Sequence, residues 1–166
     1  MSSRSGIGYD SHRLAEGRRL ILGGVEIEGA ERGLDGHSDA DALTHAAIDA
    51  LLGAAGLGDI GLHFPDTDER WRDADSIALL REVVRMIGDV GWTVGNVDAT
   101  VICEAPKLGA YRQPMRDTLA AASGIAPDAV NVKFTTNERM GPIGRGEGIA
   151  ALAIATLETA ASRSDD

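Results

Sequence analysis

The chain has 166 residues and a formal net charge of −10, with 43% hydrophobic, 25% charged and 4% aromatic residues. This length fits one domain spanning residues 1–166, and the acidic balance without a lysine or arginine cluster argues against nucleic acid and anionic membranes as partners. No apolar run approaches the roughly 20 residues that cross a bilayer, we expect no secretory signal, and one cysteine excludes an internal disulfide framework, so we expect a cytoplasmic protein.

Two strands are predicted near the N-terminus. Residues 5–10 favour a short strand, and if the extended backbone continues, its period of two places Asp10 and His12 on the same side. The β-branched run 19–27 contains Gly23-Gly24. This pattern predicts a hairpin partner for the first strand, with a bulge or a close backbone approach at the glycines.

A helix is predicted from Ser38 to Gly56, because Ser38 and Asp41 have the spacing of a capping box. On this helix Asp41 and His45 lie one above the other, and a stripe of alanine and leucine residues places His45 at the edge of the core. His37 precedes the cap, where free helix amides and the positive end of the helix dipole favour an anion. The sequence therefore predicts an anion site beside an imidazole.

The rest of the chain alternates helices and strands. The predicted elements are a loop over 59–68 with three carboxylates, a helix from Asp75 or Ser76 to about Gly91, a strand over 94–103, a helix over 112–123, a strand over 130–135, a helix over 147–161 and a frayed tail over 162–166. This order predicts an α+β fold with a single mixed β-sheet and helices on one face. Because the helices are alanine-rich and aromatic residues are few, we expect other subunits to cover one face of the sheet.

Asp10, His12 and His45 form the sharpest candidate site. Two imidazoles and a carboxylate suit zinc or a related divalent transition metal, and three protein ligands leave one position open for substrate. The D-x-H motif also recurs by chance, so the alternative is a satisfied histidine at the core edge and an aspartate in a turn.

Two later segments suit an anionic ligand. The hydroxyls of Thr135 and Thr136 can donate to phosphate oxygens, and Glu138 can hold a Mg²⁺ ion that bridges a diphosphate. The glycine-rich turn 144–148 presents free amides and the Arg145 guanidinium to an anion. The alternatives are a polar strand end and a flexible loop.

A joint pattern of motifs runs through almost the whole chain in order. Its segments are Gly8–His12, His37–His45, Leu57–Gly61 with Phe64–Asp68, Ala105–Lys107, and Thr135–Glu138 with Gly144–Gly148. This pattern closely resembles the 2-C-methyl-D-erythritol 2,4-cyclodiphosphate synthases of the non-mevalonate isoprenoid pathway, and it is far more specific than any one segment.

The resemblance implies roles for individual residues. Zinc, or another divalent transition metal, is expected at Asp10, His12 and His45, and a second divalent ion, Mg²⁺ or Mn²⁺, at Glu138. His37 and Thr136 are the implied catalytic residues, which stabilise the transition state.

The resemblance also implies a larger set of substrate contacts. Within it, Ser38 contacts the phosphates together with the catalytic pair, Asp59 and Gly61 contact the ribose, and the loop 103–109 with Thr135 encloses cytosine. The full implied set is Asp10, Ser11, His12, His37, Ser38, Asp59, Ile60, Gly61, Phe64, Pro65, Asp66, Thr67, Asp68, Cys103, Glu104, Ala105, Pro106, Lys107, Leu108, Gly109, Thr135, Thr136, Asn137, Glu138, Pro142 and Arg145.

The implied reaction is that of a phosphorus–oxygen lyase. The 2-phosphate of 4-diphosphocytidyl-2-C-methyl-D-erythritol 2-phosphate attacks the β-phosphorus, closes the cyclic diphosphate and releases CMP. The resemblance further implies a homotrimer with active sites at subunit interfaces and an isoprenoid diphosphate in a cavity on the trimer axis. This chain departs from the commonest pattern at two positions, because Ile7 stands where a histidine is frequent and Pro142 where a phenylalanine often lines that cavity.

Other classes of protein could share the Asp10, His12 and His45 triad. A metal-dependent phosphohydrolase or a non-haem iron enzyme could use it, but neither accounts for the threonine pair and the glycine-arginine turn. A non-catalytic scaffold stabilised by the metal is the third alternative. It is expected to bind metal and ignore a cytidine nucleotide.

Overall fold

A long N-terminal strand, β1 (Ser3–Glu16), begins the fold in the computed structural model, which describes residues 2–159. The strand extends well beyond the predicted residues 5–10. Neighbouring strands hydrogen-bond it from Ser3 to Glu16, and these bonds carry the extended backbone through polar positions that have no strand pattern of their own.

The run that follows β1 folds back on itself. Strands β2 (Ile21–Leu22) and β3 (Val25–Glu26) pair with each other, so the predicted pairing of this run with the first strand is wrong. The reason lies in the turn: Gly23 and Gly24 both have positive φ, at 60° and 71°, and two such residues make a tight two-residue hairpin. The partner of β1 at this end is β4 (Arg32–Leu34).

The first helix, α1 (Ala42–Ala55), begins four residues later than predicted. Its N-cap is Asp41, whose Oδ1 accepts from Thr44 N at 2.9 Å, so the capping box at Ser38 is wrong. Ala40 has a φ of 56°, which keeps the segment before Asp41 out of the helix. The helix ends as predicted, with Gly56 in the left-handed conformation.

The Asp41 carboxylate also explains the close backbone approach expected at the two glycines. It is fully buried and accepts from Gly23 N at 2.8 Å, Gly24 N at 2.7 Å and the Thr44 hydroxyl at 2.7 Å. Four donors therefore satisfy one buried carboxylate, and they join the β2–β3 hairpin to the start of α1.

Most of the remaining boundaries agree with the predictions. Asp75 caps the third helix, and the fourth helix and the sixth strand have the predicted bounds. The elements in chain order are α2 (Ile60–His63), α3 (Ser76–Asp89), β5 (Trp92–Ile102), α4 (Arg112–Ser123), β6 (Val130–Thr135), α5 (Gly141–Gly144) and β7 (Gly148–Thr159), with short 3-10 turns at Glu69–Trp71, Gly109–Tyr111 and Pro127–Ala129.

The predicted helix over 147–161 is wrong, because β7 is a strand. Alanine favours helices in isolation, but here the segment pairs with β1 on one side and β5 on the other. Its buried side chains alternate, as Ile149, Ala151, Ala153, Ala155 and Leu157. The expectations for residues 160–166, including the frayed tail, lie outside the described residues.

The strands form one mixed five-stranded sheet in the order β4-β1-β7-β5-β6, so the α+β prediction is confirmed. Only the β5–β6 pair within this sheet is parallel. Helices α1, α3 and α4 contact the sheet through its buried side chains. None of the described helices combines the length and hydrophobicity that a membrane crossing needs.

The opposite face of the sheet carries apolar side chains. On β1 these are Ile7 and Tyr9, which are 66% and 59% exposed. On β7 they are Leu152 and Ile154, 38% and 48% exposed. The chain by itself therefore leaves a contiguous apolar surface on its two central strands.

Candidate active site

Three side chains bring one ligand atom each to a common point. Asp10 Oδ2 lies 2.9 Å from His12 Nε2 and 3.1 Å from His45 Nδ1, and the two nitrogens are 3.3 Å apart. Among the residues that the structure describes, this is the one group of three such side chains with metal-ligand spacing. The predicted constellation is therefore assembled as expected.

The fold accounts for this convergence. Successive side chains of β1 point to opposite faces of the sheet, so Gly6, Gly8, Asp10 and His12 all face α1. His45 lies in the first turn of that helix. Because Gly6 and Gly8 have no side chains, the helix lies directly on the strand and His45 reaches the other two ligands.

The charge balance of the cluster favours an ionised carboxylate. Burial alone would raise the pKa of Asp10, but hydrogen bonds and charge from His12 and His45 hold that pKa well below its ordinary range. Burial would likewise lower the pKa of His12, but the hydrogen bond and charge of Asp10 raise it. One carboxylate oxygen and two imidazole nitrogens are a donor set that fits zinc or a related divalent ion.

A cavity of about 430 Å³ opens beside the cluster. It brings together many of the residues expected to contact substrate, namely Asp10, His12, His37, Ser38, Ile60, Gly61, Phe64, Pro65 and Asp66, together with His45. Gly36, Trp71 and Leu79 also line the cavity and were missed. Gly36 directly precedes His37 and lies close to the His12 ring, whereas Trp71 reaches this wall by packing its ring against Phe64 and Leu79 by its place on α3.

Four of the expected substrate contacts do not line this cavity in the single chain. Ser11 is exposed on β1 and has the opposite parity to the cluster. Asp59 caps α2 by accepting from Leu62 N at 2.9 Å. The Asp68 carboxylate pairs with Arg70, while its carbonyl oxygen accepts from His37 Nε2 at 3.2 Å. Thr67 is among the residues of the loop that do not line the cavity.

The segments expected to enclose cytosine form a second, smaller cavity of about 140 Å³. Its walls are Cys103, Pro106, Lys107, Leu108, Phe134, Thr135 and Thr136. Burial raises the pKa of the Cys103 thiol to about 11, and the thiol donates to Ala105 O at 3.0 Å. A protonated, hydrogen-bonded thiol of this kind is a poor nucleophile, so Cys103 serves as part of the wall.

Glu104 supports the turn that carries the second metal candidate. Its Oε1 accepts from Asn137 N at 2.8 Å and from Arg139 N at 3.3 Å. Glu138, inside this turn at a φ of 51°, accepts from the Thr136 hydroxyl at 3.0 Å. The carboxylate of Glu104 therefore holds the backbone that presents Glu138 and Thr136.

Two of the last expected contacts lie in α5 and directly after it. Pro142 and Arg145 are exposed, and Arg145 Nε donates to Glu147 at 2.8 Å. Gly109 opens a 3-10 turn beside the second cavity, and neither Gly109 nor Ala105 lines that cavity. In the described chain, the His37 side and the Thr136 side of the expected site thus line two different cavities.

Arg18 was not expected at the site, yet it supports the His37 segment. Its guanidinium donates to the carbonyl oxygens of Leu34 at 3.1 Å, Gly36 at 3.2 Å and Ser38 at 2.9 Å. The sequence shows only an arginine in a polar turn. Its targets are 16 to 20 residues away, and the chain reversal through β2 and β3 brings them within reach.

The chain matches the YgbB family over residues 3–158. It is 58% identical over 159 residues to a 2-C-methyl-D-erythritol 2,4-cyclodiphosphate synthase of Laribacter hongkongensis, covering 96% of this chain and 98% of the relative. It is 61% identical over 160 residues to an enzyme of that name from Rubrobacter xylanophilus, covering 95% and 96%. A solved structure of such a synthase in a CDP-bound form is 41% identical, with a TM-score of 0.85, covering 93% of this chain and all 100% of that one.

Proposed function

The chain belongs to the YgbB family, and we infer from this membership that it catalyses the 2-C-methyl-D-erythritol 2,4-cyclodiphosphate synthase reaction of the non-mevalonate isoprenoid pathway. The observation that carries the inference is the Asp10, His12 and His45 cluster beside a cavity of substrate size, within a chain that aligns with synthases over nearly its whole length. Residues 1–166 then form one synthase domain, which the family match supports.

The reaction is an intramolecular phosphoryl transfer. An oxygen of the substrate's 2-phosphate forms a bond to the β-phosphorus, and the bond from that phosphorus to the oxygen of the CMP phosphate breaks. The leaving oxygen departs with CMP and keeps the electron pair. A phosphate monoester has a second pKa of about 6, so the nucleophile is largely anionic at neutral pH and needs no general base.

The chain's own residues then have to align the substrate and stabilise its charge. His37 uses Nε2 to donate to Asp68 O, which fixes the ring at the cavity wall and leaves Nδ1 without a hydrogen bond to the described chain, available to a ligand. The Ser38 hydroxyl lies on the same wall. Holding a flexible substrate in attack geometry can lower the barrier by up to about 7 to 11 kcal/mol.

Metals are assigned to two positions. Asp10, His12 and His45 would hold zinc and Glu138 a Mg²⁺ or Mn²⁺ ion, which together would polarise the phosphates and neutralise charge on the leaving group. In the larger cavity, beside the three-residue cluster, the apolar side chains of Ile60, Phe64 and Leu79 exclude water from the methylerythritol part of the substrate.

Cytosine is assigned to the smaller cavity, with CMP as the leaving group. The backbone of loop 103–109 can hydrogen-bond to the edge of the base, and Thr135 and Thr136 line the same cavity. The CDP-bound state of the solved relative supports a cytidine nucleotide as the ligand class.

Phosphorus NMR of the protein with substrate and Mg²⁺ tests the function. We expect cyclic diphosphate and CMP, whereas inorganic phosphate would favour a phosphohydrolase.

We propose that the protein is a homotrimer with active sites between subunits. Two observations support this: the two halves of the expected site line separate cavities of one chain, and the outer face of the sheet is apolar. Sedimentation at micromolar concentration should give the mass of three chains. A monomer in that measurement would contradict the proposal.

The second-ion assignment predicts a selective effect of Glu138→Gln. An amide is a weaker ligand for Mg²⁺ than a carboxylate, so the Mg²⁺ concentration for half-maximal rate should rise about tenfold, or about 1.4 kcal/mol. Zinc content should stay unchanged, because Glu138 is outside the cluster. Glu82→Gln, at a remote exposed ion pair, is the control, and equal loss of both metals in elemental analysis would contradict the division.

An isoprenoid diphosphate is the ligand we assign to the trimer axis, near Pro142 and Arg145. Proline offers less apolar area than phenylalanine, and about 60 Å² of added contact is worth about 1.5 kcal/mol, or about tenfold in affinity. Titration calorimetry with farnesyl diphosphate should therefore show tighter binding for Pro142→Phe. Arg145→Ala should weaken it, since this guanidinium would exchange Glu147 for the diphosphate. Unchanged affinity in both variants would remove the axial site.

A further inference from the structure

Ser76 and Asp39 lie behind His45, on the side away from Asp10 and His12. His45 is 8% exposed and Ser76 is fully buried at the start of α3. The Ser76 hydroxyl oxygen is 2.8 Å from His45 Nε2 and donates to Asp39 Oδ1. Asp39 is held in turn, because its Oδ2 accepts from Ser76 N at 2.9 Å and its Oδ1 from Asp41 N at 3.2 Å.

The direction of this chain of hydrogen bonds decides which nitrogen of His45 carries a proton. The Ser76 hydroxyl donates its single proton to Asp39 Oδ1, and both oxygens of this carboxylate also accept from backbone N–H groups. The Ser76 oxygen must then accept from His45, which places a proton on Nε2. If His45 carried its proton on Nδ1 alone, the Ser76 hydroxyl would be the only donor for two contacts, one with His45 Nε2 and one with Asp39. The contact left without a proton would then join two lone pairs, which is costly in a buried place.

The environment of Ser38 agrees with this assignment. Its hydroxyl oxygen lies 3.2 Å from the same Nε2 and already accepts from Ala40 N at 3.2 Å. Two hydroxyl oxygens thus flank Nε2. The other nitrogen, Nδ1, points to Asp10 and His12, where its lone pair would bind a metal ion in place of the hydrogen bond to Asp10.

The orientation of His12 is set in a similar way, by a backbone acceptor behind its ring. Its Nδ1 lies 2.9 Å from the carbonyl oxygen of Asp35, which can only accept, so Nδ1 donates and Nε2 is the nitrogen that would offer its lone pair to a metal. Each imidazole of the cluster therefore has an acceptor behind it. For His12 the acceptor is backbone, whereas for His45 it is the side-chain pair Ser76 and Asp39.

We propose that Ser76 and Asp39 are positioning residues that hold His45 in the tautomer whose Nδ1 binds the metal. This inference rests on the metal site of the proposed function. Acceptors behind metal-bound histidines orient the ring and raise its basicity, and their loss typically weakens metal binding 10- to 100-fold.

The pair also ties the metal cluster to the substrate wall. Asp39 N donates to Ala74 O at 3.2 Å, and Asp73 N donates to His37 O at 2.8 Å. The segment before α3 and the His37 segment are thus held side by side. A displaced Asp39 would move the phosphate-binding His37 as well as His45.

Zinc affinity tests the proposal, measured by competition with a chromophoric chelator on the full chain. Ser76→Ala and Asp39→Asn should each bind zinc about 10- to 100-fold more weakly than wild type. Asp75→Asn is the matched control, because it alters the neighbouring carboxylate that caps α3, where asparagine caps equally well. Ser76→Cys, measured alongside, keeps a side chain of similar size but replaces the hydroxyl oxygen with sulfur, which is a weak acceptor. This variant should therefore bind zinc as weakly as Ser76→Ala.

The tautomer has a readout of its own. The chain has 4 histidines, so long-range proton–nitrogen NMR on histidine-labelled protein can assign each ring. Zinc-loaded wild type should show a protected proton on His45 Nε2, and Ser76→Ala should lose that protection. Wild-type zinc affinity and tautomer in both Ser76 variants would overturn the proposal. Failure of the wild type itself to bind zinc would instead reject the metal site and, with it, this inference.

Discussion

Replacing Asp10 with asparagine is expected to reduce turnover about a thousandfold while the protein stays folded. The substitution removes the one negative charge among the three side chains, and a metal held by them would supply several kcal/mol of charge stabilisation in a transition state. A loss of about 4 kcal/mol corresponds to about a thousandfold in rate. The side chain is 24% exposed, so the core remains packed. CMP release measures the rate, and circular dichroism the fold.

Two further variants show whether the effect belongs to the cluster: one removes an aspartate charge far from it, and the other removes a second ligand. Asp89→Asn changes an exposed aspartate at the far end of α3 and should leave the rate unchanged. His45→Ala, which removes a different ligand of the same cluster, should behave as Asp10→Asn does. A near-normal rate in Asp10→Asn protein that holds no zinc would reject the catalytic role of the cluster.

Gly8→Ala is expected to lower the free energy of unfolding by about 3 kcal/mol, a large effect for one methyl group. A Cβ atom at this position would lie 2.0 Å from Ala46 O and 2.6 Å from Ala50 N, both in the backbone of α1. The helix would have to move off β1. His45 belongs to that helix and His12 to the strand, so the movement would disturb the spacing of the ligands and zinc affinity should fall as well. Urea denaturation gives the free energy.

Gly88→Ala is the matched control, with the same substitution in the opposite environment. Nothing lies within 4 Å of the added Cβ, and the residue sits in α3 without a positive φ. Alanine should therefore stabilise the helix by up to about 1 kcal/mol. Equal and small effects at the two positions would show that α1 does not depend on its close approach to β1.

Several features of the molecule follow from local sequence alone. The alternation of β1 put Asp10 and His12 on one side, Asp75 and the glycine after Ser123 set the ends of α3 and α4, and the ordered motifs identified the family. Each depends on a strand period, a cap or a set of spacings that a short window contains. The cluster of Asp10, His12 and His45 was predictable for this reason, although its three members come from two elements.

The tertiary structure decided the rest. Residues 148–159 are alanine-rich and fit a helical stripe and a strand alternation equally well. Pairing with β1 and β5, which lie far away in sequence, made them a strand. Ser76 reads locally as the start of a helix, but packing places it against His45, 31 residues away. The cause is the same in both cases, because the decisive hydrogen-bond partner lies outside any local window and is met only when the chain folds.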